Sequence, residues 1–349
     1  MEEINIIPET IQLIKMSDEE YFSEKYKDYI SNSKLSMFNA EEDGSPEKFE
    51  QGFENKYSES FELGSAVHNM ILQPDFYFVS KLNKPTAKLG LFVDTVFSLR
   101  KKGYKIADAI TEASIISDYY SGSLSATRLK TAIKKGIDYY INKIKLVEEI
   151  EGKVPIYLSN TSKEKLNQCI LGITSNKTVF NTLFPKGLLS PPEIFNEYAI
   201  LCEVDVTIDD VTTRIKVKGK LDNFVINHED NEIILNDLKT TGKPVTFFMG
   251  NYVKSIDDNG NESDVWFNGS FQKFRYYRQM TMYMWLLNAA IKAKYGYVYA
   301  LKANMVVVET IPNFKSKCFK VNGKHIEFGL KEFKRILIDF AKWKNQQLT

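Results

Sequence analysis

The strongest constraint on the fold lies in the second half of the chain, where three strand-like segments precede one long helix and a fourth strand. The strand-like segments are rich in β-branched residues, and the first two alternate polar with apolar side chains. Only three residues separate these two segments, and Asp209 and Asp210 among them predict a tight antiparallel turn. The predicted bounds are 194–208, 212–226, 231–241 and 295–310 for the strands, 271–293 for the long helix and 326–347 for a final helix. This order predicts an α/β fold with a central mixed β-sheet flanked by helices.

The whole chain divides into three parts by its local character. Residues 1–90 are predicted to form helices broken by a polar loop at 40–52. Residues 91–190 predict a helical insertion, and residues 191–349 predict the α/β core. Within that core, the polar residues 254–264 predict a flexible loop.

Composition limits the class of protein but does not identify its binding partner. The formal net charge is +1, from 46 basic and 45 acidic residues, which neither requires nor excludes nucleic acid. The cysteines Cys169, Cys202 and Cys318 lack CxxC spacing; this argues against a zinc site, an iron–sulfur cluster or a disulfide framework and fits a reducing cytosol. The N-terminus lacks the apolar core of a signal peptide, and the longest mostly apolar stretch, 280–291, is too short to span a bilayer. We therefore expect a cytoplasmic protein with no membrane partner.

A carboxylate and an ammonium share one face of the third predicted strand. Strand alternation places Asp237 and Lys239 on the same side and Leu238 on the other, where it can be core. Such a pair suits phosphodiester hydrolysis, because the acid can hold a divalent cation while the lysine orients water and offsets charge on the phosphate. The same spacing recurs at Glu151 and Glu332, each followed by lysine two residues later. Alone, the pair therefore favours a plain salt-bridged strand face.

A second acid lies on the preceding strand. Gly219-Lys220-Leu221-Asp222 ends fifteen residues before Asp237, and strands this close in sequence are expected to pair as a hairpin. Pairing would bring Asp222 beside Asp237, and a bound cation would relieve the repulsion between the two carboxylates. The alternative is two unrelated surface acids.

Polar residues at helical spacing complete the set of candidates. Gln279 and Tyr283 lie four apart on the long helix and hence on one face. They either close over the DNA backbone, or support Lys239, or are ordinary core residues. His68 follows the small residues of Gly64-Ser65-Ala66-Val67, which permit close helix packing. It is either a metal ligand or a structural histidine.

Together these motifs resemble a known family. In chain order, GSAVH, GKLD, DLK and QMTMY match GxxxH, GxxD, (D/E)xK and QxxxY, the signature of the RecB-like branch of the PD-(D/E)XK nucleases. The chain is most similar to RecE-type phage exonucleases, over roughly residues 30–90 and 190–345. The resemblance implies the PD-(D/E)XK fold, with the GxxxH motif in the N-terminal part and the catalytic residues in the core.

The resemblance also implies residue roles. Lys239 would be the catalytic lysine, and Gln279 and Tyr283 would line the substrate side. Glu197 is a further candidate acid, for which Glu203 and Asp205 are alternatives. The implied metal ligands are His68, Asp222, Asp237 and the backbone carbonyl of Leu238. Oxygen ligands favour Mg²⁺, with Mn²⁺ tolerated because one ligand is imidazole, and no iron–sulfur cluster is expected.

The implied function is Mg²⁺-dependent DNA hydrolysis, by an exonuclease of phage-type recombination or replication located in the host cytoplasm. A structure-specific or nicking endonuclease and a non-catalytic DNA-binding subunit are the alternatives. Besides DNA, the expected partners are a single-strand annealing or single-strand binding protein and further copies of the chain. The candidate phosphate contacts alternate along the second strand and so share one face, although a solvated sheet face would look the same; they are Arg214, Lys216, Lys218 and Lys220.

Overall fold

The fold is described from a computed structural model, which covers residues 2–52, 58–85, 87–119, 134, 136, 139, 142–143, 152–186, 190–256 and 262–347. By internal contacts the chain divides into two compact units. The sheet unit comprises Met1–Glu54 and Gly172–Thr349, and the helical unit comprises Asn55–Leu171. The boundaries predicted at residues 90 and 190 stay predictions. By internal contacts, the first 54 residues belong to the same unit as the sheet.

The secondary structure of the described residues alternates short elements with a few long ones. The strands are β1 Glu2–Ile6, β2 Gln12–Lys15, β3 Tyr77–Val79, β4 Val154–Ile156, β5 Glu193–Ile208, β6 Val211–Asn227, β7 Glu232–Thr241, β8 Asn251–Ile256, β9 Glu262–Phe267, β10 Ala300–Glu309 and β11 Ser316–Lys320. The helices are α1 Asp18–Tyr21, α2 Asn32–Phe38, α3 Pro46–Gln51, α4 Glu59–Leu72, α5 Ala87–Lys101, α6 Ile106–Ser117, α7 Asn160–Thr174, α8 Lys177–Leu183, α9 Ser270–Lys273, α10 Tyr276–Tyr295 and α11 Gly323–Gln346.

A mixed sheet organises the sheet unit. Its strand order is β1-β5-β6-β7-β10-β11, with β2 also pairing with β5. The β7–β10 pair is parallel and the other pairs are antiparallel. Helices pack against this sheet, so the expectation of an α/β fold with a central mixed sheet flanked by helices is confirmed.

Successive residues of β5 point to opposite faces of the sheet, and in its middle both sets are apolar and buried. Ile200 and Cys202 lie in the main core with α10 and α11, whereas Ala199 and Leu201 pack on the opposite face against a cluster from the N-terminal segment. The two long helices cross closely at Gly329, where a Cβ would lie 2.5 Å from the carbonyl oxygen of Tyr277. A larger residue there would push the helices apart.

Three local expectations were wrong. Residues 1–90 are not only helical, because β1 and β2 pair with β5. The expected loop at 254–264 is largely an antiparallel hairpin of β8 and β9, while residues 257–261 lie outside the described residues. The strand β11, which follows the last predicted strand, was not anticipated.

The helix α4 ends at Leu72, two residues before Pro74. Within the described ranges, no helix is both long enough and apolar enough to cross a membrane.

Candidate active site

Three carboxylates form a row across three adjacent strands of the sheet unit. The β5–β6 register places Glu197 at the position opposite Asp222. The β6–β7 ladder ends at the pair Asn223 and Asn236, so the next position on each strand holds Asp222 and Asp237. The hairpin predicted from the short spacing between these strands is present, and it brings the two acids side by side where β6 and β7 separate.

The backbone of β5 is distorted at Glu197. Its φ of 58° lies in the left-handed region, which costs a non-glycine residue about 1–3 kcal/mol. Because of this distortion, the core-facing positions of β5 change from even numbers, as at Ile200, to odd numbers, as at Phe195. Strain of this kind persists where the surrounding structure fixes it, and it concentrates at functional sites.

Glu197 is a buried acid beside another acid. It is 7% exposed, and one of its carboxylate oxygens lies within 4.8 Å of one from Asp222. Burial and the charge of Asp222 raise the pKa of Glu197 to about 7, although Lys220 opposes the shift with its Nζ 2.7 Å from Oε2 of Glu197. Ionisation of Glu197 beside Asp222 is therefore unfavourable unless a cation binds nearby.

Asp237 and Lys239 lie on the same face of β7, as alternation predicts. The Nζ of Lys239 is 2.6 Å from Oδ2 of Asp237 and 3.9 Å from Oδ2 of Asp222. Leu238 is fully buried on the other side. Burial opposes the charge on Lys239, but Asp237 and Asp222 outweigh it and raise the pKa of Lys239 above its ordinary value. The lysine is therefore an ammonium at neutral pH and cannot act as a base.

The backbone of β7 also contacts this cluster. The backbone N–H of Leu238 donates to Oδ2 of Asp222 at 2.8 Å. The Leu238 carbonyl oxygen lies 3.4 Å from Nζ of Lys239. The structure thus gathers the predicted oxygen ligands Asp222, Asp237 and the Leu238 carbonyl around one ammonium.

The helix α10 supports the cluster from the core side. Nε2 of Gln279 donates to Oδ1 of Asp237 at 3.0 Å, so Gln279 holds a carboxylate. Tyr283 packs over β6, where a Cβ on Gly219 would lie 3.1 Å from its ring. Burial raises the pKa of Tyr283 well above its ordinary value, which keeps the hydroxyl neutral. The glycine of the GKLD motif thus makes room for the tyrosine of the QMTMY motif.

The four basic residues predicted to contact phosphates lie in different environments. Lys218 is only 4% exposed, and its Nζ donates to the backbone carbonyls of Tyr21 and Tyr26 at 2.7 and 3.0 Å. It therefore cannot reach a phosphate, and its assignment to DNA is wrong; the N-terminal segment covers this part of the face.

The other three basic residues differ in their environment. Lys220 pairs with Glu197 and Asp18. Arg214 pairs with Asp205, with Nε 2.9 Å from Oδ1. The exposed Lys216 lies over the ring of Tyr29 at 5.7 Å. For these three residues, contact with DNA stays a prediction.

The remaining candidate residues lie away from the row or in the other unit. Glu203 and Asp205 lie farther along β5 than Glu197 and are not opposite Asp222. His68 lies on α4 of the helical unit, and its assignment as a metal ligand stays a prediction.

One residue of the site was not predicted from the sequence. The ring of Tyr276 lies under Lys239, with Nζ 5.4 Å from the ring centroid. It precedes Gln279 by three residues and therefore shares its helix face. That spacing was the available signal.

Comparisons with known proteins give a likeness by structure and no match by sequence. No protein-family model matches the chain, and no curated protein sequence matches it. The chain is similar to the crystal structure of a protein from Eubacterium rectale described as a putative exonuclease, with a TM-score of 0.43 and 12% identity, over 93% of this chain and 86% of that one.

Proposed function

We propose that the chain is a metal-dependent DNA nuclease of the RecB-like PD-(D/E)XK type. The observation that carries the proposal is the row of Glu197, Asp222 and Asp237 on three adjacent strands, with the ammonium of Lys239 2.6 Å from Asp237. Three acids this close in a largely buried sheet carry more charge than the ammoniums of Lys239 and Lys220 offset, and a bound divalent cation would neutralise the remainder.

The donor set fits a hard divalent cation. Carboxylate and carbonyl oxygens are the ligands that Mg²⁺ and Mn²⁺ take, and here Asp222, Asp237 and the Leu238 carbonyl would hold the ion, with Glu197 adjacent. His68 is the further proposed ligand. When bound, such an ion supplies Lewis-acid stabilisation of the phosphate and lowers the pKa of a water molecule.

The protein's own groups have distinct tasks in this proposal. Lys239, charged at neutral pH, orients the attacking water and offsets charge on the phosphate in the transition state. Gln279 fixes the rotamer of Asp237 by donating to Oδ1. Tyr283 is a positioning residue, since it packs on Gly219 beside the carboxylates.

Within this class we favour an exonuclease of phage-type recombination or replication. This finer assignment rests on the four ordered motifs. A structure-specific or nicking endonuclease would use the same chemistry. A DNA-binding subunit without activity would be marked by loss of the acid or the lysine, and this chain retains both.

The test is digestion of linear and covalently closed circular DNA with Mg²⁺, Mn²⁺ or EDTA. We expect degradation of the linear form that requires the metal and is abolished in Asp237→Asn. Asp205→Asn, an acid of β5 outside the row, is the matched control and should retain activity. Full activity in EDTA would refute the mechanism, whereas cleavage of the closed circle would favour the endonuclease.

A further inference from the structure

An exposed aromatic surface follows the strand that carries Lys239. Beyond β7 the chain forms the β8–β9 hairpin and then returns through α9 to α10. Four aromatic side chains here have exposed fractions between 44% and 64%. They are Tyr252, Trp266, Phe267 and Phe274, and we call them the aromatic platform. Tyr252 and Trp266 share one face of the hairpin, and Phe267, the next residue on β9, lies on the other face. Exposed aromatic residues on one short stretch of the chain indicate a binding surface.

Lysines lie over two of these rings. Nζ of Lys243 is 5.2 Å from the ring centroid of Phe267, and Nζ of Lys273 is 5.6 Å from that of Phe274. Both lysines are exposed. The platform therefore presents apolar ring faces together with positive charge, whereas the cores of protein–protein interfaces are depleted in lysine.

Ring contacts connect the platform to the candidate active site. Phe274 packs against Tyr276 with ring centroids 5.7 Å apart, and the ring of Tyr276 lies under Nζ of Lys239 at 5.4 Å. A polymer seated on Phe274 would thus lie one aromatic residue away from the lysine.

The base of the hairpin is held firmly. Gly269 passes so close to Phe248 and Gly250 that a Cβ would collide with their backbones. Nε2 of Gln272 donates to the carbonyl of Met249 at 2.7 Å. Tyr252 and Trp266 pack edge to face with centroids 5.1 Å apart. Rings fixed in advance lose little conformational entropy when a ligand stacks on them.

We propose that the aromatic platform binds the unpaired bases of single-stranded DNA. Stacking between a base and an aromatic ring needs exposed base faces, which a duplex conceals within its stack, and the nearby lysines suit the phosphates between the bases. The direction of the strand toward Lys239 rests on the proposed nuclease function. The binding itself does not.

The test is equilibrium binding in EDTA, measured by fluorescence anisotropy. The probes are a labelled oligothymidylate, an abasic oligonucleotide of equal length and a blunt duplex. We expect the oligothymidylate to bind about tenfold or more tightly than the abasic strand. Trp266→Ala and Phe274→Ala should each lose about tenfold in affinity, the scale of one base–aromatic stack. The salt dependence should remain, because the lysines are kept.

Two further variants separate stacking from folding. Phe274→Leu keeps an apolar side chain without a ring and should also lose affinity. Phe328→Ala removes an aromatic that is 58% exposed on α11 and packs on Tyr277, which is not a platform residue; this variant should bind like the unchanged protein. Near-equal binding of the abasic strand, near-equal binding of the blunt duplex, or an equal loss in Phe328→Ala would overturn the proposal.

The outcomes also separate this proposal from the nuclease function. A protein without nuclease activity, whose single-strand binding still depends on Trp266 and Phe274, would refute the proposed function and support the platform. A nuclease whose platform variants bind as tightly as the unchanged protein would support the proposed function and refute the platform.

Discussion

Replacing Glu197 by glutamine tests whether burial and the charge of Asp222 destabilise the ionised glutamate. The amide keeps the size of the side chain and can still accept from Nζ of Lys220, but it carries no charge. The substitution therefore imitates the protonated glutamate. We expect it to stabilise the metal-free protein at alkaline pH relative to the unchanged chain, with an advantage that depends on pH.

The sign follows from the raised pKa. In the unfolded chain the carboxyl loses its proton near 4.5, whereas in the folded protein the pKa is about 7. Folding must therefore retain a proton between these values, and stability falls as pH rises from 4.5 to 7 and stays low above 7. The shift corresponds to about 3 kcal/mol at pH 8 and about 1 kcal/mol at pH 5.

The assay is urea denaturation in EDTA at pH 5, 6, 7 and 8. The unfolding free energy of Glu197→Gln minus that of the unchanged protein should grow by roughly 2 kcal/mol from pH 5 to pH 8. Glu203→Gln, on the same strand and away from Asp222, controls for the substitution. Adding Mg²⁺ at pH 8 should stabilise the unchanged protein more than the variant. A difference that is flat, or that shrinks with pH, would show that burial and Asp222 do not raise the pKa of Glu197.

Three more substitutions test other parts of the site. Lys239→Ala should reduce turnover by about two orders of magnitude with little change in DNA affinity in EDTA; near-normal cleavage would mean that the DLK match is coincidental. Gly219→Val should lower the unfolding free energy by about 1–3 kcal/mol through overpacking against Tyr283, measured by urea denaturation, and an unchanged midpoint would contradict the tight contact. His68→Ala should weaken Mg²⁺ affinity in titrations of rate by about tenfold or more at an unchanged melting temperature, whereas a structural histidine predicts the opposite pair of results.

The sequence predicted the parts of the fold that depend on local pattern. Alternation along β6 and β7 and the spacing of Gln279 and Tyr283 on α10 are properties of neighbouring residues. The resulting face and helix assignments match the structure. By contrast, β1 and β2 pair with β5 across nearly 200 residues. Nothing in their own few residues indicates that partner.

The same limit applies to single side chains. Alternation assigned Lys218 to the correct face but could not reveal that the carbonyls of Tyr21 and Tyr26 cover it. Glu197, Glu203 and Asp205 all lie on one predicted strand, and only the register with β6 identifies which of them faces Asp222. Long-range contacts decide both cases.

The N-terminal 52 residues determine how far the chain can be shortened. They supply β1 and β2 along β5, and they hold the fully buried guanidinium of Arg278 through Asn32, Ser36 and Glu42. A fragment starting at residue 191 would expose a 16-residue edge strand and would leave the buried Arg278 with Glu332 but without its three N-terminal partners, a combination that favours aggregation over folding. Inactivity of such a fragment would therefore report a broken scaffold and would carry no information about where the catalytic groups reside.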